Sequence, residues 1–415
     1  MRYFCFTTNS NTMSKNAKFI GQPIFSQLLK FIPKQKIIQL SNSHHADHYI
    51  KRFKTYDHLV TMLYGVFHNC RSLREVVTGM MACHGRLQHL GLPDYSRRST
   101  LSDANKRRES KVFEDIYYSL YKLYGSFLSD SRSIKGHLEK RLYIVDSTTI
   151  SLFQEILRTT GQGPANGKRK GGIKVHTLIK ADQDVPCLVN MTSAVASDNP
   201  FLKYMNLPKH SIVVFDRGYN SYVEMERLDK NELIWITRKH SRAIMELQSE
   251  NQVTSQERSN GIVKDHIVIL GSSKNKAQLR VEVRWIEFYD TTSGKTLEFL
   301  TNNRTMKAST IAQLYQRRWQ IETFFKRLKQ NNQLKYFLGD NENAIRIQIW
   351  CSLIADLIIK VIQNRVKRKW SFANLSSMIR IHLMSYTSLM HFLENPEHTN
   401  FQTPQSSQLD LFSSV

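Results

Sequence analysis

Tyr315, Arg318, Glu322 and Lys329 sit three, four and seven residues apart in turn. At about 100° per residue a helix projects all four within roughly a 60° stripe, so one face carries a carboxylate flanked by two cations and a phenol. The segment from about Ala308 to Gln333 reads as one helix, because Leu314, Ile321, Phe325 and Leu328 recur on an adjoining face suited to burial. A solvated edge, with Glu322 paired to Arg318 or Lys326, would account for the face by itself.

Two carboxylates earlier in the chain bear on that choice. Arg141-Leu-Tyr-Ile-Val-Asp146-Ser-Thr-Thr is apolar from Leu142 to Val145 and then meets an acid; Ser211-Ile-Val-Val-Phe-Asp216-Arg-Gly-Tyr has the same form. Both read as buried strands of a mostly parallel sheet with an Asp at the carboxyl end, where open α/β sheets place their ligands. A lone Asp there is often a helix cap or turn residue. Two of them followed by a Glu-bearing helix have the composition of a two-metal phosphoryl-transfer site, in which divalent ions about 3.5 to 4 Å apart stabilise the attacking and leaving oxygens of an in-line displacement. Such ligands suit hard Mg²⁺, with Mn²⁺ as a substitute.

Asp146 in its strand-Asp-Ser-Thr context, Asp216 in Asp-Arg-Gly-Tyr, and the Tyr315, Arg318, Glu322, Lys329 array together resemble the catalytic core of bacterial insertion-sequence transposases of the Asp-Asp-Glu class, and within it the subgroup defined by that array. The similarity runs from about Pro23 to about Lys360. It implies a ribonuclease H-like α/β core with a mainly β insertion, an α-helical N-terminal domain that recognises terminal inverted repeats, and C-terminal helices. It further implies two Mg²⁺ ions held by Asp146, Asp216 and Glu322, double-stranded DNA as partner, and a homodimer that pairs the two element ends. A catalytically silent DNA-binding derivative and a structure-selective nuclease are the alternative functions; the three acids speak against the first, the array against the second.

Composition agrees with a polyanionic partner: 59 Lys+Arg against 35 Asp+Glu give a formal net charge of +24. The five cysteines are scattered and contain no Cys-x-x-Cys pair, which argues against a disulfide framework or structural zinc and for a reducing cytosol. Ile345 to Ile362, the most apolar stretch, is interrupted by Arg346, Gln348, Asp356 and Lys360 and reads as a buried helix, not a membrane span.

The expected division is a disordered segment over 1–20, a helical DNA-binding domain over 21–130, the catalytic domain over 138–345 with a β insertion at about 240–303, helices over 346–394, and a disordered tail over 395–415. Ser72-Leu-Arg-Glu75 has the form of a capping box opening a helix to about Met81. A second helix from about Ser99 carries Asn105, Lys106, Arg107 and Arg108. The pair reads either as a helix-turn-helix module with Asn105, Arg107 and Arg108 toward DNA, or as a plain bundle.

Around the acids, Arg318 and Lys329 are candidates to hold phosphates, and Tyr315 to donate to one or stack on a sugar; bracing the helix is the alternative for all three. Lys174 and Arg217 add positive charge near the acids, and His176 reads as a metal or phosphate contact or as a hydrogen-bonded structural residue. Trp285 and Trp319 are read as core packing, with stacking on a flipped base, as a Trp does in relatives that form DNA hairpins, as the second role. In the tail, Gln408, Leu409, Leu411 and Phe412 match the peptide by which replication and repair proteins dock on the bacterial sliding clamp.

Overall fold

A computed structural model describes residues 21–129, 138–151, 172–271, 280–331, 334, 337–338 and on to 399. Six helices come first: α1 (Ile24–Leu29), α2 (Lys34–Ser43), α3 (Thr55–His68), α4 (Leu73–Ala82), α5 (Arg98–Arg107) and α6 (Ser110–Leu128). α3 is apolar almost all round, with Leu59, Val60, Met62, Leu63 and Val66 buried, and it stops where Asn69 turns left-handed at φ 57°. The cap at Ser72 forms, its hydroxyl accepting from the Glu75 amide at 3.2 Å, while the Glu75 carboxylate reaches back to the Arg71 amide.

The strands are β1 (Leu142–Ser151), β2 (Gly172–Lys180), β3 (Val185–Ser193), β4 (Ile212–Phe215), β5 (Ile234–Arg238), β6 (Met245–Glu250), β7 (Ile262–Leu270), β8 (Val281–Asp290) and β9 (Lys295–Thr301). They form one sheet in the order β3-β2-β1-β4-β5-β9-β8-β7-β6. Among the described residues only β1 with β4 and β4 with β5 are parallel; the other pairings are antiparallel, so the mostly parallel sheet expected from the apolar runs is corrected to a mixed one. A strand buried on both faces shows the same apolar run in either pairing. β6 to β9 occupy the 240–303 stretch but build no sheet of their own, because β9 pairs with β5 and continues the core.

The remaining helices are α7 (Tyr222–Lys230), α8 (Ser255–Ser259), α9 (Ala308–Gln316), α10 (Trp319–Asn331), α11 (Glu342–Arg365), α12 (Phe372–Ile381) and α13 (Leu389–Glu394). α11 packs on α6, α3 and α5, so one apolar core runs from the N-terminal helices through α11 to the sheet. Among the described residues no helix is long and apolar enough to cross a membrane, and Cys70, Cys83, Cys187 and Cys351 are unpaired thiols.

The single helix expected over 308–333 is two. At Arg317 and Arg318 the backbone switches to tighter bonds, Arg317 N–H to Leu314 O at 3.2 Å and Arg318 N–H to Tyr315 O at 2.9 Å, before α10 starts at Trp319. Tyr315 therefore belongs to α9, and the four-residue array spans a break.

Candidate active site

The register of the parallel pair decides where the first two acids go. Val145 lies opposite Phe215, so Asp146 and Asp216 follow side by side. Asp216 ends its strand as expected. Asp146 does not: β1 runs on to Ser151, with Asp146 opposite Thr177 of β2, because Thr148-Thr-Ile is β-branched and has an antiparallel partner to pair with. Asp146 thus marks the end of β4's reach, not of its own strand.

α10 brings the third acid. Arg318, at the break, bridges two carboxylates: Nη1 donates to Asp146 Oδ2 at 3.0 Å and Nη2 to Glu322 Oε1 at 2.6 Å. The Ser147 amide donates to Asp146 Oδ1 at 2.8 Å. Burial pushes Asp146 up to about 6, with Asp216 and Glu322 adding to the rise and the Ser147 amide and Arg318 opposing it. Asp146 on β1 therefore feels Asp216 at the end of β4 and Glu322 on α10, and one guanidinium pairs with two of the three acids.

Oxygen donors on three separate elements fit a hard divalent ion in kind. Among the described residues no group of three ligating side chains is spaced to hold an ion as the chain stands. The Arg318 guanidinium lies between Asp146 and Glu322.

The other candidates sort by exposure. Lys329 extends its ammonium to Thr149 O at 3.3 Å, and burial lowers its pKa. Arg217 is exposed beside Asp216. Tyr315 packs on Phe299 with its hydroxyl buried, and the Arg318 guanidinium lies 6.0 Å from its ring centroid. Trp319 departs from core packing, being 66% exposed. Trp285 is half-buried, stacked on His266 with ring centroids 5.3 Å apart.

Two further candidates sit among polar partners. His176 is buried, with Nε2 2.9 Å from Thr192 Oγ1 and Nδ1 3.3 Å from Tyr219 Oη and 3.5 Å from Asp198 Oδ1. Lys174 donates to Ala196 O at 2.7 Å and lies 3.2 Å from Asp198 Oδ1. Asp198, which nothing in the sequence singles out, also accepts from Ser147 Oγ at 3.0 Å. It sits in a short turn at 199–204's entrance with no motif around it.

Asn105 and Arg108 are corrected as DNA contacts, because both are buried. Asn105 Oδ1 lies 2.8 Å from His58 Nε2, and Arg108 reaches His58 Nδ1 at 3.0 Å and Asp47 Oδ1 at 3.1 Å. Their polar heads serve a network closed by residues about fifty positions upstream. Arg107 alone of the three is exposed. Gln408, Leu409, Leu411 and Phe412 lie outside the described residues.

The chain belongs to the Asp-Asp-Glu transposases of insertion sequences: the family model described as a transposase DDE domain matches residues 137–356. A putative transposase of Sinorhizobium fredii is 29% identical over 261 residues, covering 63% of this chain and 70% of that protein. A probable insertion-sequence transposase of Geobacillus stearothermophilus is 27% identical over 280 residues, 67% of this chain and 70% of that one. Among solved structures, a piggyBac transposase synaptic complex with hairpin DNA superposes at a TM-score of 0.42 with 10% identity, over 91% of this chain and 80% of that one. Residues 20–93 match a second model, described only as a domain of unknown function.

Proposed function

We propose that the chain cuts DNA at the ends of its insertion sequence and joins them to a target, with Asp146, Asp216 and Glu322 as ligands of two Mg²⁺ ions. The observation that supports this most is the convergence of three acids from separate elements, one of them held near pH 6 by burial and by the other two. When bound, the ions activate the attacking oxygen and stabilise the leaving one.

The protein's own groups do the positioning. The Ser147 amide fixes the Asp146 carboxylate. Arg318 is tied to both Asp146 and Glu322, so it is placed to exchange a carboxylate for a DNA phosphate, which it can hold through two parallel N–H bonds. Lys329, which reaches Thr149 O, and Arg217, next to Asp216 in the chain, add positive charge for the DNA backbone. Trp319, exposed three residues before Glu322, offers a face for a base displaced at the cut. Because two ends must meet, the active form is a homodimer on DNA.

Incubating the purified protein with Mg²⁺ and its own element ends should yield end cleavage and strand joining, with Mn²⁺ able to replace Mg²⁺. Glu322→Gln should lose both while still binding the ends. Binding without cleavage by the unmutated protein would show a silent DNA-binding derivative instead. Cleavage of unrelated branched DNA in preference to the ends would show a structure-selective nuclease.

The C-terminal peptide is a second, separable proposal: Gln408, Leu409, Leu411 and Phe412 dock the protein on the sliding clamp. Leu411→Ala with Phe412→Ala should abolish capture by immobilised clamp and leave end cleavage intact. Equal capture of the two proteins rules the docking out.

A further inference from the structure

Residues 44–54 link α2 to α3 without regular structure, inside the stretch that matches only a domain of unknown function. Their backbone is held in place by one carboxylate. Asp47 Oδ1 accepts from the Thr55 amide at 2.8 Å, from Thr55 Oγ1 at 2.9 Å and from Arg108 Nη2 at 3.1 Å, while Oδ2 accepts from Ser41 Oγ at 2.6 Å. Arg108 Nη2 also donates to Phe53 O at 3.0 Å, so both ends of the link are tied to one buried guanidinium. Arg108 can only donate, so His58 Nδ1 accepts from it and His58 Nε2–H donates to Asn105. Burial and the neighbouring guanidinium keep His58 neutral, with a pKa lowered to about 3.

What this anchoring presents is unusual. His45 and Tyr49 are held at positive φ, 50° and 61°, a region that costs a residue with a Cβ about 1 kcal/mol or more. The side chains face outward: Tyr49 is 92% exposed and touches only the neighbouring ring of His48, with centroids 3.9 Å apart, among the ring contacts of the described residues, and His45, His48, Lys51, Arg52 and Lys54 are exposed with it. No carboxylate among the described residues lies within ion-pair distance of Lys51, Arg52 or Lys54. Clefts of about 770 and 560 Å³ flank the link; Lys34 and Asp57 line the first, Arg107, Asp103 and Glu109 the second.

We propose that the 44–54 link is a rigid ridge that grips the sugar-phosphate backbone of duplex DNA, with Lys51, Arg52 and Lys54 on phosphates and Tyr49 against a sugar. This rests on DNA being the substrate, as proposed above, and it moves the N-terminal contact away from the helix that carries Asn105 and Arg108. Three unpaired cations on a braced backbone have the chemistry of phosphate recognition, in which register is fixed without reading sequence. An aromatic ring with a polar tip, held out on a strained turn, suits the amphipathic surface of a sugar.

The test uses the full chain in EDTA, where no cleavage occurs, and reads anisotropy on a labelled element end and on an unrelated duplex over a salt series. Lys51→Ala, Arg52→Ala and Lys54→Ala combined should weaken binding to both duplexes at least about tenfold, and should reduce the slope of log K against log salt by about 2 to 3. Tyr49→Ala should weaken both several-fold and leave the slope in place. An unchanged slope in the triple variant, or a loss confined to one duplex, overturns the ridge as a backbone grip and leaves it to another partner. A chain that binds through the ridge and never cuts overturns the proposed chemistry alone; one that cuts but binds independently of the ridge overturns the ridge alone.

Discussion

Asp146→Asn should give a protein that no longer cuts DNA and is more stable than the unmutated one at pH 8. The first half follows from its place among the three acids: losing one ligand of a metal pair removes several kcal/mol of transition-state stabilisation, which at about 1.4 kcal/mol per factor of ten is at least a 10³-fold loss of cleavage. The second half follows from burial. Asp146 is displaced from its ordinary 3.8 to about 6, first by burial and then by Asp216 and Glu322, despite Arg318. Because the folded pKa lies above the unfolded one, the carboxylate's cost is absent below about pH 4, grows up to about pH 6 and is complete above it. That displacement corresponds to about 3 kcal/mol at most, and Asn keeps a weaker bond to Arg318, so a gain of roughly 1 to 3 kcal/mol is expected at pH 8. It should shrink to about a third of that by pH 4.5. Urea denaturation in EDTA at the two pH values reads this directly, and Mg²⁺ should stabilise the unmutated protein more than the variant. A variant less stable at pH 8, or one that still cleaves, contradicts the placement of Asp146 in an acid cluster.

The contrast between the acids and their surroundings shows what a sequence can carry. Ile212 to Phe215 is legible as a strand because a short apolar run rich in β-branched residues fits a buried strand, and β4 spans those four residues. β1 has the same beginning, yet its course past Asp146 depends on β2, a partner about thirty residues on, and nothing local announces it. The break at Arg317 and Arg318 contains neither glycine nor proline, so periodicity runs through it unmarked. Asn105 and Arg108 look like a DNA-facing edge because polar residues on a helix normally face water. They are instead drawn inward by His58 and Asp47, contacts that exist only after α3 and α5 have packed. Local pattern specifies elements and the acids on them; which cation ends up buried is settled by tertiary partners.

Arg327 is the sharpest case of that last point, and its replacement should be the most destabilising single change on α10. Lys326 and Arg327 are neighbours with the same charge, but Lys326 is exposed and Arg327 buried. Arg327 donates through Nε and Nη2 to both oxygens of Asp356 on α11, at 2.9 and 3.1 Å, and through Nη1 to Asp184 Oδ2 at 2.7 Å, where Lys360 joins at 3.0 Å. Burial outweighs the ion pair and raises Asp356, which is 1% exposed, whereas Arg327 and Lys360 overcome burial to hold Asp184 below the usual carboxylate value. Arg327→Met keeps most of the volume but leaves two acids facing one lysine, so a loss of about 3 to 5 kcal/mol is expected, the range for breaking a buried pair from one side. Adding Asp356→Asn should recover part of it, a coupling that a double-mutant cycle measures from urea midpoints. The consequence reaches the site, since this network is what ties the helix carrying Glu322 to α11 and to the β2–β3 turn; in Arg327→Met, end cleavage at a temperature where the variant remains folded should fall while binding of the ends holds. A loss below about 1 kcal/mol with no coupling to Asp356 would mean that apolar packing alone fixes α10.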